Sequence, residues 1–314
     1  MCTAVSISGE RHLFGRTLDI ESSYGESVIA VPRNHRLDFL REPPQKSHLA
    51  LIGIGCVRGG VPLYFDAMNE AGLSAAGLNF SLSAKYHPAT DNVHNIASFE
   101  VIPWILSQCK NLQEAKELLQ NTSITNDSFS VDLPSTPLHW IIADKTGSIT
   151  VESVSSGLKI YENRFGILTN EPPFEYHEFH LADFLRLTPT TPQNDLCREI
   201  ELTPYSRGMG AIGLPGDFSS ASRFVRAFFV KSHIETAPKS DEINRFFHVM
   251  NSVNVPYGCQ KNESGQNMYT LYTSCADAET LTYHFATYDD RQIRSVKLTD
   301  ELMNGTALSQ LQIE

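Results

Sequence analysis

The 314-residue sequence has no long apolar segment. Nowhere does a run reach the roughly 18 consecutive apolar residues that a transmembrane helix requires. The N-terminus, MCTAVSISGERHLFG, has neither the basic stretch nor the long apolar stretch of a secretory signal. We therefore expect a cytoplasmic protein that does not insert into membranes.

Paired cysteines and positive charge are also scarce. The six cysteines, at positions 2, 56, 109, 197, 259 and 275, contain no CxxC pair, so neither a disulfide framework nor a thiolate zinc site is expected. There are 25 Lys and Arg against 36 Asp and Glu, the net charge is −11, and no basic run stands out. This balance argues against nucleic acid as a partner, whereas an anionic small molecule could bind where a few arginines are concentrated.

Three familiar catalytic or cofactor motifs are missing or incomplete. There is no GxSxG, the turn that carries a serine nucleophile in many hydrolases. Residues 208–213, GMGAIG, fit GxGxxG, but the strand that should precede them and the helix that should follow are missing. His177 and His180 are the first and last residues of HEFH, whose two histidines are one residue too close together for the HExxH motif that binds zinc. Neither segment therefore predicts a dinucleotide site or a zinc site.

Alternating apolar and polar residues predict strands near both ends of the chain, with helices grouped between them. The predicted strands are 3–8, a segment ending at residue 15, 27–31, 49–57, three strands within 138–168, 268–274, 280–287 and 293–298, and the predicted helices are 99–109, 112–119, 220–233 and 241–253. This order favours an α+β fold of four layers, α/β/β/α, with two packed antiparallel sheets. No composition break marks a linker, so we expect one domain over residues 1–314.

Cys2 directly follows the initiator methionine and precedes a predicted strand. Methionine aminopeptidase removes Met before small residues, so the mature chain would begin with a cysteine that carries both a thiol and a free α-amino group. An α-amine titrates at about 7.7–8.0 and a thiol at about 8.5, so one residue can supply both a nucleophile and its general base. A cysteine at position 2 is weak evidence by itself, and the neighbouring sequence has to decide.

A second arrangement would pair Cys109 with His139, which stands beside Trp140. A cysteine and a histidine far apart in the sequence can form a protease site when the fold brings them together. Both residues lie in apolar stretches, however, so we expect them to be packed in the interior.

Five segments stand out in order along the chain: MCTAVSIS, FGRTLDIE, YFDAMNEAGLSAAGLNF, LTNEPPF and GLPGDFSSASRFVR. Together they resemble the choloylglycine hydrolase family of N-terminal nucleophile hydrolases. The similarity runs from Met1 to about Leu298 and is strongest to the bile salt hydrolases of Gram-positive gut bacteria. The resemblance implies the four-layer fold and a Cys2 nucleophile.

The family's catalytic pattern matches five further residues of this sequence. Arg16 and Asp19 match an arginine beside the thiol, which favours the thiolate, and a carboxylate that orients the α-amine. Asn79 and Asn170 match two asparagines around the tetrahedral intermediate, where amide N–H groups stabilise an oxyanion. Arg223 in SASRFVR matches a second site arginine, carried on a helix. In isolation, each residue also fits an ordinary ion pair, turn or exposed helix position.

The resemblance implies hydrolysis of the amide that joins a bile acid to glycine or taurine, through a Cys2 thioester and without a cofactor. Because the steroid is rigid and mostly apolar, hydrophobic loops around the nucleophile should bind it. By motif position the candidate contacts are Leu18, Tyr24, Phe65 and Leu138, each of which also fits ordinary core packing.

The resemblance also implies a homotetramer. Residues 187–217 carry four prolines, several glycines and little periodicity. A loop of that length within a compact domain is usually functional or covers a partner. The segment is therefore our candidate oligomerisation loop, an arm that grips a neighbouring subunit.

Two other functions stay open at this point. Penicillin V acylase shares the family's fold, nucleophile and reaction type, but that branch tends to have tyrosine where this chain has Asn79. A binding protein that has kept the fold and lost catalysis is the other alternative, and the complete set of site residues argues against it. A thioester would also allow transfer of the acyl group to another amine.

Overall fold

The structure is a computed structural model that describes residues 1–9, 11–238 and 240–313. Its strands are, in chain order, β1 (Cys2–Ile7), β2 (Leu13–Ile20), β3 (Ser27–Val31), β4 (Leu51–Arg58), β5 (Val61–Asn69), β6 (Ser74–Asn79), β7 (His94–Ala97), β8 (Thr122–Thr125), β9 (Leu138–Asp144), β10 (Gly147–Val154), β11 (Gly157–Glu162), β12 (Ile167–Leu168), β13 (Tyr269–Asp277), β14 (Thr282–Thr287), β15 (Arg294–Lys297) and β16 (Ser309–Gln312). Its α-helices are α1 (Val101–Gln108), α2 (Leu112–Gln120), α3 (Phe174–His180), α4 (Ser220–His233), α5 (Glu242–Asn251) and α6 (Asp300–Asn304).

Most strands belong to two antiparallel sheets. The six-stranded sheet has the order β12-β1-β2-β13-β14-β15, and the eight-stranded sheet has the order β11-β10-β9-β6-β5-β4-β3-β16. β7 and β8 form a separate parallel pair. Since β1 lies between β12 and β2, the N-terminal strand is an interior strand and Cys2 begins it.

The sheets pack face to face with helices outside them, and the alternation of side chains along the strands explains why. On β9, Ile141 and Ala143 belong to the main core cluster, which extends between the sheets and under α4 and α5, whereas Trp140 and Ile142 belong to a second cluster on the opposite face. α4 and α5 pack on the six-stranded sheet, and α1 and α2 cover the eight-stranded sheet and close the second cluster. The predicted four-layer α+β fold is confirmed.

The two C-terminal core helices begin at side-chain caps. The Ser219 hydroxyl accepts a hydrogen bond from the backbone of Ser222 at 3.4 Å, and α4 then runs over the predicted residues. Asp241 caps α5 through the backbone of Asn244 at 2.8 Å, so this helix begins one residue later than predicted, and it ends two residues earlier. In the described residues, no helix is long and apolar enough to cross a membrane.

Several strands differ from the prediction for physical reasons. The segment predicted to end at residue 15 continues to Ile20, because Arg16, Thr17 and Asp19 are polar residues buried in an interior strand. β5 and β6 were not predicted as strands. β16 was not predicted either, because its four residues are all exposed and show no apolar alternation.

A buried carboxylate joins the two sheets. Asp66 on β5 accepts hydrogen bonds from Tyr272 at 2.7 Å, from Ser274 at 2.9 Å and from Tyr283, all of which lie on the six-stranded sheet. Burial raises the pKa of Asp66. The Ser274 hydroxyl also accepts the backbone N–H of Arg16 at 3.0 Å, so this contact extends to the residue beside the N-terminal cysteine.

Residues 187–217 form the long irregular segment that their prolines predict. All of them are described, and they contain one regular element, a 3₁₀ turn at Met209–Ala211. Gly210 lies so close to the neighbouring backbone that a Cβ there would be 2.0 Å from the Thr190 oxygen. Large apolar side chains are exposed along this segment, namely Leu196, Ile200, Leu202, Tyr205 and Ile212. An exposed apolar surface of this kind fits contact with another chain, which stays a prediction.

Candidate active site

Cys2 has a fixed place at the start of β1. It lies opposite Leu18 of β2, is 3% exposed and belongs to the main core cluster. Its backbone N–H donates to Oδ1 of Asn170 at 2.9 Å. Hydrogen bonds on both sides of the strand therefore hold the backbone that carries this thiol.

The guanidinium of Arg16 lies beside the sulfur. Its Nη2 donates to Sγ of Cys2, and its Nη1 donates to the carbonyls of Gly77 at 2.6 Å and Phe65 at 3.1 Å. Burial alone would lower the pKa of Arg16, but the charges of Cys2 and Asp66, among others, raise it above its ordinary value. The side chain therefore stays cationic, and a cation at this position favours the thiolate.

Asp19 lies on the other face of β2, beside the N-terminus. Its carboxylate accepts hydrogen bonds from the hydroxyls of Thr270 at 2.6 Å and Thr17 at 3.2 Å. Its backbone N–H donates to the Met1 carbonyl at 2.9 Å, and the amine of Met1 donates to the Asp19 carbonyl. With Met1 in place, the nitrogen of Cys2 is a peptide nitrogen and has no lone pair for a proton.

Arg223 of α4 reaches the same backbone from the helix layer. It is fully buried, and burial lowers its pKa. Its Nη1 donates to the Cys2 carbonyl and to the Thr3 hydroxyl, and its Nη2 donates to Oδ1 of Asn170 at 2.7 Å. The side chain is thus part of the site and is not an exposed helical arginine.

The two asparagines are linked to each other. The Asn170 oxygen accepts from both Cys2 and Arg223, while its Nδ2 donates to the Asn79 carbonyl at 2.8 Å. The side-chain oxygen of Asn170 therefore faces the Cys2 nitrogen, an orientation that the sequence does not reveal. Asn79 ends β6 and is exposed.

The four candidate substrate contacts take different positions. Leu18 is buried directly opposite the cysteine, and Phe65 packs against the main core cluster. The ring of Tyr24 is about half exposed and lies 6.1 Å from the ring of Phe65. Leu138 is paired with Asn79 but packs against the second core cluster, so its assignment rests on its place beside that asparagine.

The alternative pairing of Cys109 with His139 finds no support in the structure. Cys109 belongs to the second core cluster, and burial raises its pKa to about 12. The two ring nitrogens of His139 lie 3.0 Å from the Glu152 carboxylate and 3.0 Å from the Thr169 carbonyl, on the other face of the sheet. The described residues include no cluster of His, Cys, Asp and Glu that could hold a metal ion.

Three threonines were not identified from the sequence. Thr3 contacts Arg223, while Thr17 and Thr270 hold Asp19. Thr3 and Thr17 directly follow Cys2 and Arg16 along their strands, so strand alternation placed them on the opposite face and was the available signal. Thr270 is remote in sequence, and only the sheet pairing brings it to the site.

Comparison with known proteins gives this site a context. The family described as linear amide C–N hydrolases, choloylglycine hydrolase family, matches residues 2–310. A bile salt hydrolase/transferase from Lactiplantibacillus plantarum is 44% identical over 309 residues, which are 98% of this chain and 95% of that protein.

Solved structures have the same fold. A variant of conjugated bile acid hydrolase from Clostridium perfringens superposes with a TM-score of 0.93 at 33% identity, over 100% of this chain and 97% of that one. Penicillin V acylase from Agrobacterium tumefaciens gives a TM-score of 0.78 at 21% identity, over 100% of this chain and 92% of that one. The second likeness concerns the fold alone.

The position of Met1 generates a prediction about the amine. A chain extended before Cys2 by residues that cannot be trimmed should fold normally but lose hydrolysis of linear amides, because an amide nitrogen cannot accept the proton of the thiol. The control carries the same extension followed by a protease site that leaves Cys2 first, and cleavage should restore activity. Intact mass identifies each form. Full activity from a chain shown to retain its extension would contradict the amine as base.

Proposed function

Because the chain belongs to the choloylglycine hydrolase family of linear amide C–N hydrolases, we propose that it hydrolyses conjugated bile salts with Cys2 as the nucleophile. The observation that carries this proposal is the buried Cys2 sulfur beside the Arg16 guanidinium. Relatives that align along almost the whole chain are named bile salt hydrolases or conjugated bile acid hydrolases, and this supports the substrate class.

The reaction follows two half-reactions. The Cys2 sulfur attacks the carbonyl carbon between the bile acid and its amino acid, and the α-amine takes the thiol proton. The tetrahedral intermediate collapses, the C–N bond breaks, and the amine passes that proton to the leaving glycine or taurine. Water then attacks the thioester, gives a proton back to the amine, and releases the free bile acid as the sulfur regains its proton.

Each neighbour of Cys2 has a role in this proposal. Arg16 stabilises the thiolate, and the oxygen of Asn170 accepts from the nitrogen and so fixes the direction of its lone pair. Asp19 contacts Met1 through its backbone, and once Met1 is removed its carboxylate would orient the new amine. Arg223 holds Asn170, and the exposed Asn79 amide is available to the oxyanion.

The substrate class follows from the apolar surroundings of the thiol. Leu18, Phe65 and the half-exposed ring of Tyr24 would contact the steroid, with Leu138 beside Asn79 as a further contact. Penicillin V acylase activity has less support, since that comparison shares only the fold. A free amine in place of water would convert the thioester into a new conjugate, so acyl transfer belongs to the proposal.

We also propose that the protein is cytoplasmic and forms a homotetramer. A nucleophilic thiol must stay reduced, which the cytoplasm provides. We expect a homotetramer in which residues 187–217 contact a neighbour with the exposed side chains of Leu196 and Tyr205. At the start of this segment lies a mostly apolar cleft of about 390 Å³ whose lining includes Phe165, Leu185 and Phe228, where an apolar segment of another subunit would fit.

Replacement of the nucleophile tests the reaction. Cys2→Ala should reduce turnover of glycocholate and taurocholate by roughly 10⁴-fold or more, and Cys2→Ser nearly as much, because an alcohol is far less ionised than a thiol. Cys109→Ala is the matched control and should retain activity apart from a packing loss. Turnover like that of the unmodified enzyme in Cys2→Ala would contradict the mechanism. A kcat/KM for penicillin V above that for both bile salts would contradict the substrate class.

Removal of the arm tests the assembly. With residues 187–207 replaced by a short Gly/Ser linker, the tetramer should dissociate and activity should fall, because the segment leads into the helix that carries Arg223. Light scattering measures the mass. Leu196→Ser with Tyr205→Ser should act in the same direction, whereas Val131→Ser, at an equally exposed position outside the segment, should leave the mass unchanged. An intact tetramer in the linker variant would refute the arm.

A further inference from the structure

A histidine and a glutamate form a fully buried pair behind the active site. His139 on β9 and Glu152 on β10 both have side chains that are 0% exposed, and Nδ1 of the histidine lies 3.0 Å from Oε1 of the glutamate. Burying two ionisable side chains completely is costly unless their hydrogen bonds are satisfied, and Oε2 of Glu152 has no partner among the described residues. The surroundings of this pair show what it does.

His139 contacts the chain next to both asparagines of the site. Its Nε2 lies 3.0 Å from the carbonyl of Thr169, the residue before Asn170. Its ring stacks on Phe80, the residue after Asn79, with centroids 4.3 Å apart and planes 7° from parallel. One side chain therefore contacts both backbone segments that carry the site asparagines.

Glu152 extends this support to α3. Its Oε1 also accepts the backbone N–H of Phe174, the first residue of that helix, at 3.0 Å. The helix carries His177, the first histidine of HEFH, whose Nε2 lies 3.0 Å from the Asn170 carbonyl. Burial lowers the pKa of His177 to about 4, so the ring is neutral at neutral pH and its proton is on Nε2, because a carbonyl only accepts.

The protons of the buried pair are fixed by its partners. Since the Thr169 carbonyl only accepts, Nε2 of His139 carries a proton. The contact between Nδ1 and Glu152 then requires one more proton, shared between the ring and the carboxyl group. An amide turned to donate to Nδ1 gives up the Phe174 N–H, and an amide that keeps the Phe174 N–H presents its oxygen to Nδ1. Only an imidazolium could donate to that oxygen, and without the carboxylate it would be a buried, uncompensated charge. Glu152→Gln therefore breaks one of these hydrogen bonds while it keeps the shape of the side chain.

We propose that His139, Glu152 and His177 are positioning residues that hold Asn170 and Asn79 in their reactive places. None of the three touches the thiol or its proton acceptor. They act on the carbonyls of residues 169 and 170 and on the segment after residue 79, so their effect reaches the reaction only through the asparagines. This role rests on the proposed function, because it concerns the groups that we assign to the amine and the oxyanion.

The kinetic test compares two buried glutamates. Glu152→Gln should lower kcat for glycocholate by about tenfold or more with KM and the alkylation rate of Cys2 nearly unchanged, because the oxyanion site is displaced while Arg16 is untouched. Glu100→Gln is the matched control, since that carboxylate is buried, accepts two backbone N–H groups and contacts no site residue. It should lower the melting temperature comparably and leave kcat alone. An unchanged kcat in Glu152→Gln, or an equal fall in both variants, would overturn the proposal.

A second pair of variants leaves the buried pair intact. His177→Gln keeps an N–H donor for the Asn170 carbonyl and should keep most of kcat, whereas His177→Leu should lower it about tenfold. Equal kcat values for these two variants would overturn the role of His177. This comparison remains available if Glu152→Gln does not fold.

A crystal structure separates this inference from the proposed function. If the unmodified enzyme hydrolyses no conjugated bile salt, the substrate assignment fails, but the geometry can still be examined. In Glu152→Gln the distance from Oδ1 of Asn170 to the nitrogen of Cys2, 2.9 Å here, should lengthen beyond hydrogen-bonding range. An unchanged distance would overturn the positioning role whatever the substrate.

Discussion

The Arg16 guanidinium lies beside the Cys2 sulfur in the closed space between two sheets, where a charge is stable only if its hydrogen bonds are made. Two of its acceptors, the carbonyls of Gly77 and Phe65, come from the eight-stranded sheet, whereas the thiol belongs to the six-stranded sheet. The position of the guanidinium beside the thiol therefore depends on how the sheets pack. Asp66 spans the same interface, because its carboxylate accepts a hydrogen bond from the Ser274 hydroxyl of the six-stranded sheet. That hydroxyl also accepts the backbone N–H of Arg16.

The thiol and the backbone of Cys2 are contacted from opposite faces of the six-stranded sheet. Arg16 and Leu18 lie on the face between the sheets, with the sulfur, whereas Thr17 and Asp19 lie on the face toward the helices. Arg223 approaches from that helix layer and contacts the Cys2 carbonyl. A nucleophile at the first residue of an interior strand can be supported in this way because its thiol lies on one face while Arg223 reaches its backbone from the other.

Local patterns predict much of this structure, and contacts remote in sequence account for most of the rest. The bounds of the helix that carries Arg223 were predicted to the residue, and Ser219 caps it, whereas the exposed strand β16 has no apolar pattern to find. The family motifs predicted a set of site residues that the structure places together, namely Cys2, Arg16, Asp19, Asn170 and Arg223. The orientation of the Asn170 amide and the buried pair behind it depend on tertiary packing, so no local pattern indicates them.

In the proposed mechanism the acyl group passes through the sulfur at the start of β1. Mass spectrometry of the N-terminal peptide, after an acid quench of the mature enzyme early in its reaction with excess glycocholate, measures this directly. We expect a peptide that begins with Cys2 and is heavier by the bile acyl group, with the label lost on treatment with hydroxylamine, as expected of a thioester. An acyl group found on another residue, or product formed in the quenched sample with no acylated Cys2 at any time point, would contradict it.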